Sequence, residues 1–582
     1  MDLALFAIVA VLTIVAAGAF SKRLGVATPI ILILVGIGFS YIPGAPTEFD
    51  PEIILVGLLP PILYSAAITV PVVDFRRNLT SIGALSVLLV VVSAFASGLL
   101  LYFLLPDLSL PAAIAVGAVI SPPDAVAATA VGKRLGLPPR LTTILEGEGL
   151  VNDATALTML KAAIAAVSAT LSFWGAIGDF VYAVVVAIVV GLVIGFISVR
   201  LREKLPDSVL QTAISFAVPF VAFILAEDRG ASGVLAVVVT GLYTGHESAK
   251  RFSAQSRITE RINWRTAQFV LENVVFLIMG VQISSIIVAV DREGTLPLGV
   301  TVLVGALVTA VLIGIRFVFV APLLLLLRRQ NSRARSRNTR FGEALQRVQK
   351  RIEGDERFTA RYERARREHQ RRVHDAEELR REGLGWRGGI VIGWSGMRGV
   401  VTLAAAQTLP TDADDWPYRP QLVLIAFVVA VITLVLQGGT LPLVIRLTGI
   451  RGPDRAADEN RFAELLGELA EAGAAAVDDP TLEVIDGQPF TDEERERVKH
   501  EAQAIVDAAR ERAEEGVDEP EDVASSPHRR RRVLVHHMIE AQREALLEAR
   551  SEGTYPSRLI ERAQAMLDLE QTRIEAADGR TT

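Results

Sequence analysis

The stretch EGEGLVNDATALTML, residues 146–160, decides how this chain must be read. It places Glu146, Glu148 and Asp153 at the start of a segment that otherwise runs apolar to Val167. Three carboxylates in such a place belong either to a water-facing loop joined to a helix or to a buried site. In the buried case something positively charged must meet them.

The rest of the chain separates the two. Its 582 residues are 51% hydrophobic, and the mean hydropathy is +0.40, high for a soluble protein of this length. Cysteine is absent, which excludes disulfides, zinc thiolates and thiol nucleophiles. The net charge of −6 averages over a segregated chain. Apolar material fills 1–327 and 387–446, while 328–386 and 451–582 are dense in Arg, Glu and Asp. The split predicts an all-α polytopic membrane protein with a charged cytoplasmic insertion and a helical cytoplasmic tail.

A bilayer core takes about 20 mainly apolar residues as helix. On that length the chain has about thirteen transmembrane helices: 2–20, 27–42, 52–70, 79–105, 110–131, 140–168, 172–199, 208–226, 231–246, 266–290, 296–327, 387–409 and 419–446. The first lacks a basic leader and a clear cleavage site, so it reads as a span rather than a signal peptide. Odd-numbered loops carry Lys22 and Arg23, Arg76 and Arg77, Lys133 and Arg134, Arg200 and Arg202, Lys250 and Arg251, then the Arg-rich insertion. Even-numbered loops carry Glu48 and Asp50, Asp107, Glu227 and Asp228, Asp291 and Glu293, then Asp412, Asp414 and Asp415. Basic loops stay cytoplasmic. The alternation predicts an N-terminus outside the cell membrane and a C-terminus in the cytoplasm.

Two spans are interrupted by helix-breaking residues: ISPPDAV (120–126) in the fifth and GWSGMRGV (393–400) in the twelfth. Proline removes a backbone donor and breaks a helix. Irregular backbone at membrane depth survives only where it is buried in protein or lines a cavity. The breaks are an odd number of spans apart, so the halves that hold them run in opposite directions. Corresponding interrupted spans in inverted halves point to a transporter's midplane site.

Asp124 follows the double proline, at a depth where a lone carboxylate costs roughly 2.5–3.5 kcal/mol. It reads as a cation ligand, as a cap on the positive end of the second half-helix, or as both. Asp153 lies inside span six, beside Asn152 and Thr155. Inter-helix hydrogen bonding is the bland alternative, and it fits Asn152 better than Asp153. Carboxylate, carboxamide and hydroxyl oxygens suit a small hard cation such as Na⁺. Asp153, Asp124 and Asn152 are therefore the candidate cation- and proton-binding set, with Asp153 and Asp124 as the Na⁺ ligands. Glu148 and Arg398 each need a countercharge, which predicts a Glu148–Arg398 ion pair. Glu272 and Arg316 form a second candidate pair. No histidine falls at membrane depth, so protons must ride on carboxylates.

Together these residues carry a resemblance. GAVISPPDAVAATAV (117–131), EGEGLVNDATALTML (146–160), ENVVFLIMGV (272–281) and GWSGMRGVVTLAAA (393–406) resemble the motifs of cation:proton antiporters of the NhaP/NHE type. LLPPILYSAA (58–67) is similar to that family's proline pair in span three. The resemblance covers residues 1–446 and implies an NhaA-like inverted-repeat fold with two interrupted, crossing helices. It implies that Asp153 is the ion-binding aspartate, Asn152 its partner, Asp124 the acid of the unwound span, Glu148 and Arg398 the buried ion pair, and Glu272 a glutamate before the last core segments. It further implies electroneutral exchange of Na⁺ or Li⁺ for H⁺, and a homodimer. Two departures stand out: Pro122 and Pro123 precede Asp124 where the family has Asp before Pro, and Tyr64 is followed by Ser65 rather than an acid or glycine.

One competition suffices for the mechanism. A carboxylate that holds either Na⁺ or H⁺, never both, couples their opposite movement. K⁺/H⁺ antiport is the near alternative and a cation channel the more distant one. No G-x-S-x-G, H-E-x-x-H or phosphate-cradling loop appears, so the chain does not read as an enzyme. Nothing beyond the transported Na⁺ and H⁺ is called for as a cofactor, and nothing points to nucleic acid. Residues 328–385 read as a charged helix that is solvated or meets anionic lipid heads. The tail reads as amphipathic helices near 459–476, 491–515 and 529–574.

Overall fold

The computed structural model describes residues 3–24, 28–42, 49–124, 128–129, 131–132, 135–168, 173–349, 384–411 and 416–450, with scattered residues in 362–373 and 452–507. Every regular element among them is a helix. The first unit, Met1–Pro453, is one compact body; the second, Asp454–Thr582, is another. The tail helix near 529–574 lies outside the described residues, and so do most of those near 459–476 and 491–515.

Helices occupy the apolar segments in order. They are α1 (Leu3–Leu24), α2 (Thr28–Ser40), α3 (Ile53–Thr69), α4 (Leu79–Leu104), α5 (Leu110–Ile120), α6 (Pro139–Ser168), α7 (Phe173–Glu203), α8 (Ser208–Glu227) and α9 (Gly233–Arg251). They continue with α10 (Ala254–Val281), α11 (Ile283–Glu293), α12 (Leu298–Gln349), α13 (Trp386–Trp394), α14 (Val400–Gln407) and α15 (Arg419–Thr448). Among the described residues, seven helical stretches are long and apolar enough to cross a membrane, and four shorter apolar helices accompany them. On α7, Val181, Val185, Val189, Leu192 and Phe196 all face outward, an apolar stripe suited to lipid rather than water.

Local chemistry sets the ends. Ser109, Asp207, Ser232 and Ser253 cap α5, α8, α9 and α10 by accepting backbone N–H bonds from Ala112, Val209, Leu235 and Ser256, which satisfies donors that a helix start leaves free. Gly294 and Gly449 end α11 and α15 in the left-handed conformation, as glycine favours. Two expectations need amending. The segment 266–290 is two helices, α10 and α11, separated at Gln282. The helix of 296–327 does not stop at the charged insertion; α12 runs on to Gln349 without a break.

Packing divides the helices into two apolar groups, and α6 lies between them. Ile144, Leu145 and Leu160 of α6 belong to a core shared with α4, α5, α12 and α15. Leu150 and Ala154 belong to a second core with α3, α7, α8 and α9. Asn152 and Asp153 therefore sit on a helix that, like α3 and α10, contributes to both groups. Within the first group α4 and α5 meet closely: a Cβ on Gly117 would stand 2.1 Å from the Ala94 carbonyl oxygen. Only a residue without a side chain permits that approach, the usual device of membrane helices.

Candidate functional site

The first break begins where α5 stops. Ile120 is its last helical residue, and Ser121 to Asp124 have no regular structure. Pro122 and Pro123 cannot donate into a helical ladder, and each disfavours a helical residue before it. The second break spans Ser395 to Gly399, between α13 and α14. There Gly396 and Gly399 flank Met397 and Arg398, and two glycines so close together outweigh the helix preference of those residues.

The two breaks touch. The Asp124 N–H donates to the Met397 carbonyl, a backbone bond between one unwound segment and the other. The Asp124 carboxylate lies against Gly399, where a Cβ would come within 2.1 Å of Oδ2. Gly399 is the N-cap of α14, so Asp124 stands at the positive end of that half-helix. From α6, Asn152 donates its Nδ2 hydrogen to the Pro123 carbonyl. Asn152 is fully buried, and its Oδ1 has no hydrogen-bond donor among the described residues. Asp153, next along, is half-buried and within the field of Asp124. Glu272 on α10 also feels Asp124, while its carboxylate accepts from Gln268 at 2.7 Å.

The arginines depart from expectation. Glu148 does not bond Arg398. It receives both terminal nitrogens of Arg316, at 2.6 and 2.8 Å, and Arg316 is therefore not the partner of Glu272. Both side chains of that pair are 2% exposed. Arg316 also donates through Nε to the Ile392 carbonyl at 2.9 Å. Arg398 instead donates to the carbonyls of Ile120, Ser121 and Gly396. The physical reason is the break itself. A helix end leaves carbonyls unsatisfied and carries partial negative charge. Each half-helix that stops at membrane depth thus needs a cation: Arg398 serves the end of α5 and Arg316 the end of α13. Glu148 reaches Arg398 only through space.

Two contributors escaped the sequence reading. Thr433 on α15 accepts the Arg398 N–H at 2.9 Å, and Gly399 makes room for the Asp124 carboxylate. A threonine in an apolar span gave no signal. The unsatisfied carbonyls at each helix break did, and they would have assigned the arginines.

The model of the sodium/hydrogen exchanger transmembrane family matches residues 8–447. The chain belongs to the sodium/hydrogen exchanger family. An uncharacterized Na⁺/H⁺ exchanger of Mycobacterium tuberculosis is 29% identical, covering 98% of this chain and 96% of that protein. A sodium, potassium, lithium and rubidium/H⁺ antiporter of Bacillus pumilus is 26% identical over 75% of this chain and 61% of its own length. The solved sodium proton antiporter MjNhaP1 from Methanocaldococcus jannaschii superposes with a TM-score of 0.53, at 16% identity, covering 76% of this chain and 99% of that one. At that identity the fold is what the two share. Family, fold and apolar helices make the chain a multi-pass membrane transporter of the cation/proton antiport family.

Proposed function

We propose that this exchanger moves Na⁺ or Li⁺ against H⁺ across the cell membrane, one cation for one proton, with Asp153 holding each in turn. The contact of the two broken segments supports the reading: Asp124 spans them, and Asn152, the neighbour of Asp153 on α6, bonds the first of them. Asp153 and Asp124 supply the cation's charged ligands, and the free Oδ1 of Asn152 is a neutral oxygen beside them. Carboxylates outnumber guanidinium groups at the crossing, so its excess negative charge calls for either a proton or a metal cation. Hard oxygen ligands favour an alkali cation over softer metals.

Binding alone would not transport. The place of α6 in both apolar groups supports alternating access, in which the helices packed with α5 and α15 shift against those packed with α3, α8 and α9. Such rigid-body motion around a midplane site is the general behaviour of inverted-repeat carriers. About thirteen spans in two inverted halves, an outside N-terminus, a cytoplasmic C-terminus and a homodimer complete the reading. The Arg316–Glu148 pair and the Arg398 contacts hold the broken ends while the carboxylates exchange their load.

A second reading, exchange of K⁺ as well, draws on the Bacillus pumilus relative, whose name includes potassium and rubidium. Proteoliposomes with an internal pH dye separate the two: Na⁺, Li⁺, K⁺ and Rb⁺ are added in turn with the membrane potential clamped. Rates that do not change with the clamped potential support electroneutrality, and the ion with the lowest half-saturating concentration is the substrate. Orientation is tested separately. The chain has no cysteine, so Lys204→Cys should be labelled only from the cytoplasm and Asp228→Cys only from outside; the reverse pattern would overturn the orientation.

A further inference from the structure

One buried group near the crossing has no role in that reading. Gln437 is fully buried, and neither its Nε2 nor its Oε1 has a hydrogen-bond partner among the described residues. It lies in Leu434–Gly438, a π-helical segment within α15. Single π turns inside helices recur at functional sites. Its neighbours on the helix identify what it faces. Thr433, one turn before, accepts the Arg398 N–H at 2.9 Å. Thr440, one turn after, accepts the Trp394 Nε1–H at 2.9 Å. A Cβ on the adjacent Gly438 would stand 3.0 Å from the Met397 sulfur. Gln437 is thus bracketed by contacts to both ends of the second break, where the Ser395 hydroxyl is also buried with no partner among the described residues.

A buried carboxamide with no bonds is costly, and an apolar side chain of the same size would remove the cost. Native structures leave few such groups, and each calls for an explanation. The inference rests on the antiport reading and adds one element to it: held while the carboxylates exchange their load, the 395–399 backbone shifts when the site changes sides. We propose that Gln437 is a positioning residue for the second break: unbonded in the present conformation, it bonds the freed backbone of 395–399 in the alternate one. It lowers the energy of that second state relative to this one, which makes the conversion of loaded carrier, not cation binding, the step it serves.

The test is Gln437→Met in the full chain, with Ser395→Ala as an independent second variant. Thermal unfolding is read in detergent and Na⁺-driven proton movement in proteoliposomes. The expected result for Gln437→Met is a Tm equal to or above native, a maximal rate lowered about tenfold, and a half-saturating Na⁺ concentration within about twofold of native. Ser395→Ala should likewise keep its Tm. A Tm that falls with the rate would make the carboxamide an ordinary structural group and overturn the proposal; so would an unchanged maximal rate, or a loss confined to Na⁺ affinity. If the native chain moves no Na⁺ against protons, the antiport reading fails instead, and the Tm of Gln437→Met still tells whether the carboxamide is a cost in this conformation.

Discussion

The Arg316 guanidinium meets both carboxylate oxygens of Glu148, at 2.6 and 2.8 Å, and gives its remaining nitrogen to the Ile392 carbonyl at the end of α13. One side chain thereby joins α12, α6 and the second broken helix. Removing one partner of a buried pair costs about 3–5 kcal/mol, because the other charge is left uncompensated. Glu148→Gln and Arg316→Gln should each lower Tm sharply. A double-mutant cycle on thermal unfolding should give strong coupling between Glu148 and Arg316, and under about 1 kcal/mol between Glu148 and Arg398. Equal coupling to the two arginines would contradict the assignment.

Gly399 offers a test that leaves every charge in place. Its φ of −107° suits an alanine, so only space is lacking, and that space is filled by the Asp124 carboxylate at 2.1 Å from an added Cβ. Gly399→Ala must displace Asp124 or pull α14 away, at an overpacking cost of about 1–3 kcal/mol. Exchange should fall at least about tenfold, measured as cation-driven proton movement. Undiminished exchange would show that the position of Asp124 against the second break is not needed.

A loop contact supplies a pH dependence. The Tyr418 hydroxyl donates to Asp107 Oδ2 at 2.6 Å, and this hydrogen bond holds the phenol above its ordinary range. Because the folded-state value is the raised one, the contribution to stability is fully present below the ordinary tyrosine pKa of about 10 and fades as pH climbs through the folded value. Tyr418→Phe should lower Tm slightly at pH 8, the contact being exposed, and the gap to native should narrow above about pH 10. A gap that stays constant with pH would remove the hydrogen bond as its cause.

Much of the plan is legible in the chain because the membrane simplifies it. Apolar run length marks the helices, and Pro122, Pro123 and the glycines around Arg398 mark the two breaks within a residue or two. Asn152, Asp153 and Asp124 stand out because polar groups are rare at that depth. Partner choice was harder to read. Both Arg316 and Arg398 need acceptors, and counting only side-chain charges paired Glu148 with the wrong one. The carbonyls of Ile120, Ser121 and Ile392 are open to the arginines because the helices stop, so they become visible once each break is treated as a source of acceptors. The 52-residue length of α12 was also hidden, since the change from apolar to Arg-rich composition at 328 alters solvent preference without interrupting helix-forming residues.

In the proposed mechanism one carboxylate, Asp153, takes a proton and a cation in turn. Native chain and Asp153→Asn are reconstituted in parallel in proteoliposomes with an internal pH dye, an imposed pH gradient and clamped potential, and Na⁺ is added. Asparagine preserves shape and removes the charge, so folding and Tm should stay near native. The native chain should show saturable Na⁺-driven proton movement, and Asp153→Asn none above background. A folded Asp153→Asn that still exchanges Na⁺ for protons would contradict that mechanism.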